Sequence, residues 1–199
     1  MRDSAPLNGL VLAGGQSRRM GSDKALLEHA GRSQLSHTVA LLEPFVERVF
    51  VSTRAAQADE PERRRFRQIL DRYDDLGPLA GVLSAMDRDP HCAWLVLACD
   101  LPNVDETTLA ALLAQRAPQQ PFTAFESSRD GLPEPLCAIY EPASRGIIDA
   151  FVADGVRCPR KIQMRAHTKL LVQPNPHALD NINTPGDLAG SRLSRSIHE

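Results

Sequence analysis

The stretch that most restricts what this chain can fold into is Leu10-Val11-Leu12-Ala13-Gly14-Gly15-Gln16-Ser17-Arg18-Arg19-Met20-Gly21-Ser22-Asp23-Lys24, an apolar run that passes directly into a glycine-rich, basic segment ending in lysine. A short apolar run of this kind suits a buried strand of an α/β sheet. Glycines after it let backbone N–H groups come close to phosphate oxygens without an intervening Cβ, and Arg18, Arg19 and Lys24 offer cations to a self-repelling polyphosphate. A solvated basic turn is the plainer reading of three neighbouring cations, and the adjoining glycines and buried strand weigh against it.

Two commoner phosphate loops do not fit. The dinucleotide pattern G-x-G-x-x-G fails because Gly14 and Gly15 are adjacent and no third glycine stands at the required offset. The pattern G-x-x-x-x-G-K-[ST] fails because Gly15 and Gly21 are one residue too far apart and Ser22-Asp23 precede Lys24.

Further along, residues 9–13, 48–52 and 93–98 read as buried parallel strands. Between them, Leu35, Val39 and Leu42 share a helical face in 34–42, as do Leu79, Val82, Leu83 and Met86 after Gly77-Pro78. Strand and helix alternating in this way predict a parallel sheet with crossover helices. A helix follows over 107–116 with Asp105 or Thr107 as cap, then strands at 122–125 and 137–140 flanking a loop over 126–135, a helix over 146–153, a strand over 168–172 and a frayed tail from 192.

Ligands of open α/β sheets bind beyond the carboxyl ends of the strands. Asp100 stands there: it closes the run Trp94-Leu95-Val96-Leu97-Ala98-Cys99 and precedes Leu101-Pro102. A carboxylate so placed suits Mg²⁺, which takes one or two carboxylates, several waters and substrate phosphate oxygens. A turn former or helix cap is the alternative for Asp100. Asp23 reads as an orienting partner of Lys24 or a backbone cap.

The pattern Leu-x-Gly-Gly-x-Ser-x-Arg-Met-Gly-x-Asp-Lys resembles the N-terminal signature of the MobA-like NTP transferases, and within them the molybdenum cofactor guanylyltransferase (MobA) family. Leu76-Gly77-Pro78-Leu79-Ala80-Gly81, Ala98-Cys99-Asp100-Leu101-Pro102, Glu134-Pro135-Leu136-Cys137-Ala138-Ile139-Tyr140 and Asn181-Ile182-Asn183-Thr184-Pro185-Gly186-Asp187-Leu188 follow in family order, so the resemblance covers about residues 7–188. It implies a three-layer, Rossmann-like α/β fold with a mostly parallel central sheet, in one domain over 1–199. An NTP-binding half would occupy about 7–101, an acceptor-binding half 102–190 and a tail 191–199.

The reaction it implies is transfer of GMP from GTP to molybdenum-molybdopterin with Mg²⁺, releasing pyrophosphate. In-line attack by the acceptor phosphate on the α-phosphorus needs no protein nucleophile, because positioning and charge neutralisation carry phosphoryl transfer. The resemblance places Arg19, Lys24 and Asp100 in catalysis and Asp100 on the metal. It assigns nucleotide contacts to Leu12, Ala13, Gly14, Gly15, Lys24, Thr53, Asp71, Gly77, Pro78 and Asp100, and the acceptor to Asn181 and Asn183. Other molybdenum cofactor enzymes are the implied partners, with a monomer or weak homo-oligomer. Thr53 stands where many relatives place Asn, and Asp71 has Asp74 and Asp75 as near neighbours. Arg157, Arg160, Lys161 and Arg165, with Glu134, are read as a basic cluster drawing in the anionic pterin phosphate. Alternatives are a cytidylyltransferase or a sugar- or polyol-phosphate nucleotidyltransferase, and a non-catalytic, nucleotide-binding maturation factor for molybdoenzymes.

Composition narrows the rest. A chain of 199 residues is within the size of one core, and a formal net charge of −2 argues against general nucleic-acid binding. No apolar run approaches the roughly 20 residues that span a bilayer, and the first residues lack an apolar leader core, so the expected place is the cytoplasm. Cys92, Cys99, Cys137 and Cys158 form no C-x-x-C pair and read as structural, and the six histidines show no metal-ligand spacing.

Overall fold

Six consecutive apolar residues, Ala93–Ala98, can all be buried only in a strand covered on both faces, and this requirement organises the molecule. The computed structural model describes residues 4–13, 23–29 and 31–180, without the side chains of Lys24 and His29. In chain order the elements are β1 (Leu7–Leu12), a short antiparallel pair of β2 (Glu28–His29) and β3 (Arg32–Ser33), α1 (Gln34–Leu42), β4 (Val49–Thr53) and β5 (Gln68–Leu70). Then come α2 (Pro78–Arg88), β6 (Ala93–Ala98), α3 (Glu106–Ala114), β7 (Phe122–Glu126), β8 (Pro133–Tyr140), α4 (Ser144–Ala153), α5 (Pro159–Arg165) and β9 (Thr168–Leu171).

The main sheet has seven strands in the order β5-β4-β1-β6-β8-β7-β9. β5, β4, β1 and β6 run parallel; β8 runs against both its neighbours, and β9 is parallel to β7. Alternate residues of β6 enter opposite cores. Leu95 and Leu97 pack with Leu35, Val39, Leu109 and Leu112 of α1 and α3. Trp94 and Val96 pack with Leu79, Leu83, Ile148 and Ile162 of α2, α4 and α5. The result is helices, sheet, helices, the three-layer arrangement expected from the sequence.

From β1 the chain moves outward to β4 and β5 and then crosses to β6 on the other side of β1. The order of strands therefore reverses around β1, and the crevice of the fold opens beyond the carboxyl ends of β1 and β6.

The apolar patterns gave β1, β4, β6, α1 and α2 to within two residues. Asp105, not Thr107, caps α3, its carboxylate accepting from Thr108 N at 2.8 Å and Thr108 Oγ1 at 2.7 Å. β8 begins at Pro133, well before the expected Cys137, leaving 127–132 as the loop. Its early prolines lack N–H donors and read as loop, yet they lie beyond Leu97↔Cys137, the last pairing with β6, where no β6 carbonyl needs them. The sequence reading also omits β5, only three residues long, and the one-sided α5, whose buried Ile162 and Gln163 are enclosed by charged positions.

Candidate functional site

The carboxyl end of β1 is the centre of the crevice. Leu12 is paired with Ser52 of β4 and Ala98 of β6, so Ala13 follows between Thr53 and Cys99. Ala13 N donates to Ser52 O at 3.4 Å, and Cys99 N donates to Leu12 O at 3.3 Å. Asp100 is half-buried in the turn that follows β6, one residue beyond this row.

Asp23 returns to the same row. Arg63 Nη2 donates to Ala13 O and to Asp23 Oδ2, each at 2.8 Å. The other Asp23 oxygen accepts from Ala25 N at 3.1 Å, and Leu26 N donates to Asp23 O at 3.0 Å. Asp23 thus caps the single turn Lys24–Leu26, one of the two roles expected for it, and its tie through Arg63 brings the start of that turn to the end of β1. Asp100 follows Cys99, whose N–H donates to Leu12 O, and so stands beside the end of β1. The buried Cys99 thiol is pushed up to about 12 by burial first, then by the charges of Asp100 and Asp23, with Arg63 opposing. Gly14, Gly15 and Arg19 lie outside the described residues, as does the Lys24 side chain.

The second flank is formed by β4, β5 and the start of α2. Asp71 N donates to Thr53 O at 2.9 Å, and the Asp71 carboxylate accepts from Ser52 Oγ at 2.6 Å. Burial pushes the Asp71 carboxyl above the usual carboxylate range, against the Ser52 hydroxyl and the Arg54 charge. Gly77 enters α2 with φ 56° and ψ −132°, a backbone conformation that needs glycine, and Pro78 occupies the first helical position. No atom would come within 4 Å of a Cβ at Gly77, while Leu79 N donates to Leu76 O at 3.2 Å and Ala80 N to Gly77 O at 3.1 Å, closing the first turn of α2.

At Gly81 the opposite holds: a Cβ there would overlap Ser52 Oγ and approach Leu12 Cδ2 and Ser52 Cβ to 2.9 Å. That closeness brings α2 directly onto the ends of β1 and β4.

Thr53 is 0% exposed, and its hydroxyl donates to Gln68 Oε1 at 2.9 Å inside the β4–β5 pair, while the adjacent Ser52 is the residue that reaches Asp71.

On the other side of Asp100, the antiparallel β8 brings its first residues to the same edge of the sheet. Glu134 there pairs with Arg160 Nη2 at 2.7 Å, and Arg160 Nη1 lies 3.7 Å from Asp130. Of the four basic residues read as one cluster, Arg160 and Arg165 have separate surroundings. Arg160 is neutralised by Glu134, while Arg165 ends α5 just before β9 begins at the far edge of the sheet.

The chain leading to Asn181 and Asn183, the residues read from the sequence as acceptor-binding, is tied down before Asn181. Ser128 Oγ donates to Pro176 O at 2.7 Å, Asn103 Nδ2 to His177 O at 3.4 Å, and Arg129 pairs with Asp180 at 3.2 Å. The chain before Asn181 is therefore held between the β7–β8 loop and the turn after Asp100; Asn181 and Asn183 themselves lie outside the described residues.

Arg63, Gln57 and Glu60 are absent from the sequence reading. Arg63 stands in Arg63-Arg64-Arg65, which carries no sign that one of the three is buried. Among the described residues, no group of three or more His, Cys, Asp or Glu side chains forms a metal cage, and no helix is long and apolar enough to cross a membrane.

The sequence description MobA-like NTP transferase domain matches residues 9–168. The molybdenum cofactor biosynthesis bifunctional protein of Synechocystis sp. is 36% identical over 182 residues, covering 92% of this chain, which spans only 52% of that protein. The molybdenum cofactor guanylyltransferase of Pseudomonas syringae pv. tomato is 33% identical over 195 residues, covering 93% of this chain and 92% of the relative. In three dimensions, the molybdopterin-guanine dinucleotide biosynthesis protein A of Archaeoglobus fulgidus superimposes with a TM-score of 0.75 at 22% identity, over 96% of this chain and 99% of that one, a likeness of fold.

Proposed function

We propose guanylyl transfer for this chain, which belongs to the MobA-like NTP transferase family: GMP passes from GTP to the phosphate of a molybdenum-loaded molybdopterin. The observation that carries this reading is that Arg63 ties Asp23, and with it the turn beginning at Lys24, to Ala13 at the end of β1, beside the end of the neighbouring β6 where Asp100 stands. The name guanylyltransferase on relatives across nearly the full chain supports GTP and molybdopterin over the cytidylyl, sugar-phosphate and maturation-factor alternatives.

An acceptor phosphate oxygen forms a bond to the α-phosphorus of GTP as the bond to the β-phosphate oxygen breaks, and pyrophosphate leaves with that electron pair. The protein's part is placement. Backbone groups at Leu12, Ala13, Gly77 and Pro78 can lie close to the base and sugar, Asp71 accepts a donor from the nucleoside, and Lys24 with Arg19 neutralises the triphosphate. We assign Gly14 and Gly15 to the phosphates, and Asn181 and Asn183 to the acceptor.

Asp100 would hold Mg²⁺. A half-buried carboxylate in the turn after β6 fits this ion, since Mg²⁺ takes one or two carboxylates, keeps waters and uses substrate phosphate oxygens. When bound, the ion supplies charge neutralisation to the phosphate oxygens. The continuous sheet supports a single domain, with residues 7–101 serving the nucleotide and 102–190 the acceptor. We place the protein in the cytoplasm, where this chemistry needs no membrane.

The test is pyrophosphate release by purified protein with molybdenum-loaded molybdopterin, GTP compared with CTP. Release with GTP is expected, and Asp100→Ala should lower kcat on the order of 100–1000-fold with an unchanged melting profile. Release with CTP alone, or near-normal turnover by Asp100→Ala, would refute the reading.

A further inference from the structure

We propose that Arg63 is a positioning residue for nucleotide binding, tying the end of β1 to the Asp23–Lys24 turn; this rests on the guanylyl-transfer reading. Arg63 is 0% exposed, a costly place for a charge unless its donors are met. They are met mainly at one end of the guanidinium, while Nε has no hydrogen-bond partner among the described residues. One nitrogen, Nη2, serves both Ala13 O and Asp23 Oδ2 at 2.8 Å. Those are the residues on either side of positions 14–22, the stretch whose composition pointed to phosphate.

The same Asp23 oxygen accepts from Gln57 Nε2 at 3.3 Å, while Glu60 receives Arg63 N at 3.0 Å and faces Arg63 Nη1 at 3.5 Å. The connection between β4 and β5 therefore places its side chains on the two ends of the glycine-rich stretch. Asp23 transmits the constraint: its remaining oxygen holds Ala25 N, which orients the turn that begins at Lys24. A residue needed only to fill space would not have to donate to both Ala13 and Asp23. A guanidinium is suited to it, because its planar fork serves several acceptors at once where an ammonium is a point charge.

The test uses the full chain with four variants, Arg63→Met, Arg63→Lys, Asp23→Asn and the double variant Arg63→Met with Asp23→Asn. Binding of GTP by titration calorimetry, KM for GTP, KM for molybdenum-loaded molybdopterin and thermal melting are measured for each. Arg63→Met and Asp23→Asn should each raise Kd and KM for GTP about 10- to 100-fold, the scale of a small misplacement of a binding group. KM for the acceptor should stay within about twofold. Arg63→Lys should fall between them and wild type. The double variant should be little worse than either single one, because both changes break the same tie.

If Arg63→Met does not fold, Asp23→Asn and Arg63→Lys carry the test. Folded variants that bind GTP like wild type, or lose GTP and acceptor affinity equally, overturn the positioning role and leave guanylyl transfer standing. A wild-type protein that neither binds GTP nor releases pyrophosphate overturns both.

Discussion

Replacing Gly81 by alanine adds one methyl group at the point where α2 meets the ends of β1 and β4. In a free helix the change would be favourable by about 1 kcal/mol, since glycine is the poorer helix former. Here the new Cβ would overlap Ser52 Oγ and lie 2.9 Å from both Leu12 Cδ2 and Ser52 Cβ. The hydroxyl can rotate away, but the Ser52 Cβ is fixed to its strand, so α2 must lift. Overpacking of this kind costs about 1–3 kcal/mol. Rotation of Ser52 also breaks its 2.6 Å bond to Asp71, a further loss of about 1 kcal/mol for a charge-assisted bond to a partly exposed acceptor. The packing and hydrogen-bond losses exceed the helix gain, giving a net loss of about 1–3 kcal/mol and a fall in Tm of roughly 3–8 °C. Losing the Ser52 donor would also push the Asp71 carboxyl further up, so GTP affinity should fall with stability. Denaturant melts and GTP titration of Gly81→Ala measure both. A variant as stable as wild type or more so, with unchanged affinity, would refute the packing argument.

Other outcomes follow from the charges and thiols. Asp71 has a raised folded pKa, mainly through burial, so wild-type stability should decline as pH rises from the ordinary carboxylate value to that raised one. Asp71→Asn should flatten this decline in pH-dependent urea melts, stabilise the fold at pH 7 and weaken GTP binding; an unchanged pH profile would count against the burial. Arg116 and Glu141 form a buried, two-point pair at 2.7 and 2.9 Å, with Arg116 also donating to Ala5 O at 2.9 Å. Arg116→Met should therefore lose about 3–5 kcal/mol in chemical denaturation by leaving Glu141 buried and unmatched. Burial raises the thiols of Cys92 to about 11 and of Cys99 and Cys137 to about 12, whereas Cys158 is exposed. A disulfide reagent at pH 8 should titrate Cys158 rapidly and the other three only on unfolding.

Local patterns carried far where each residue's role is decided by its neighbours in sequence. The buried runs of β1, β4 and β6 required a sheet covered on both faces, and the spacing of Leu35, Val39 and Leu42 required a helix on one of them. Asp100 could be placed at the crevice because it closes such a run. Ser52 and Thr53 show the limit of this reasoning. Both are small hydroxyl residues at a strand end, and the alternation of the strand decides which faces Asp71 and which faces Gln68.

From the sequence alone came the alternation of strand and helix and the place of Asp100 just after β6, since periodicity and residue type are local properties. Only the tertiary structure decided that Arg63, rather than Arg64 or Arg65, joins Ala13 to Asp23, and that Gly81 must lack a side chain for α2 to reach Leu12 and Ser52. Those contacts join residues far apart in the chain, and their energies depend on distance and burial, which come into being when the chain folds.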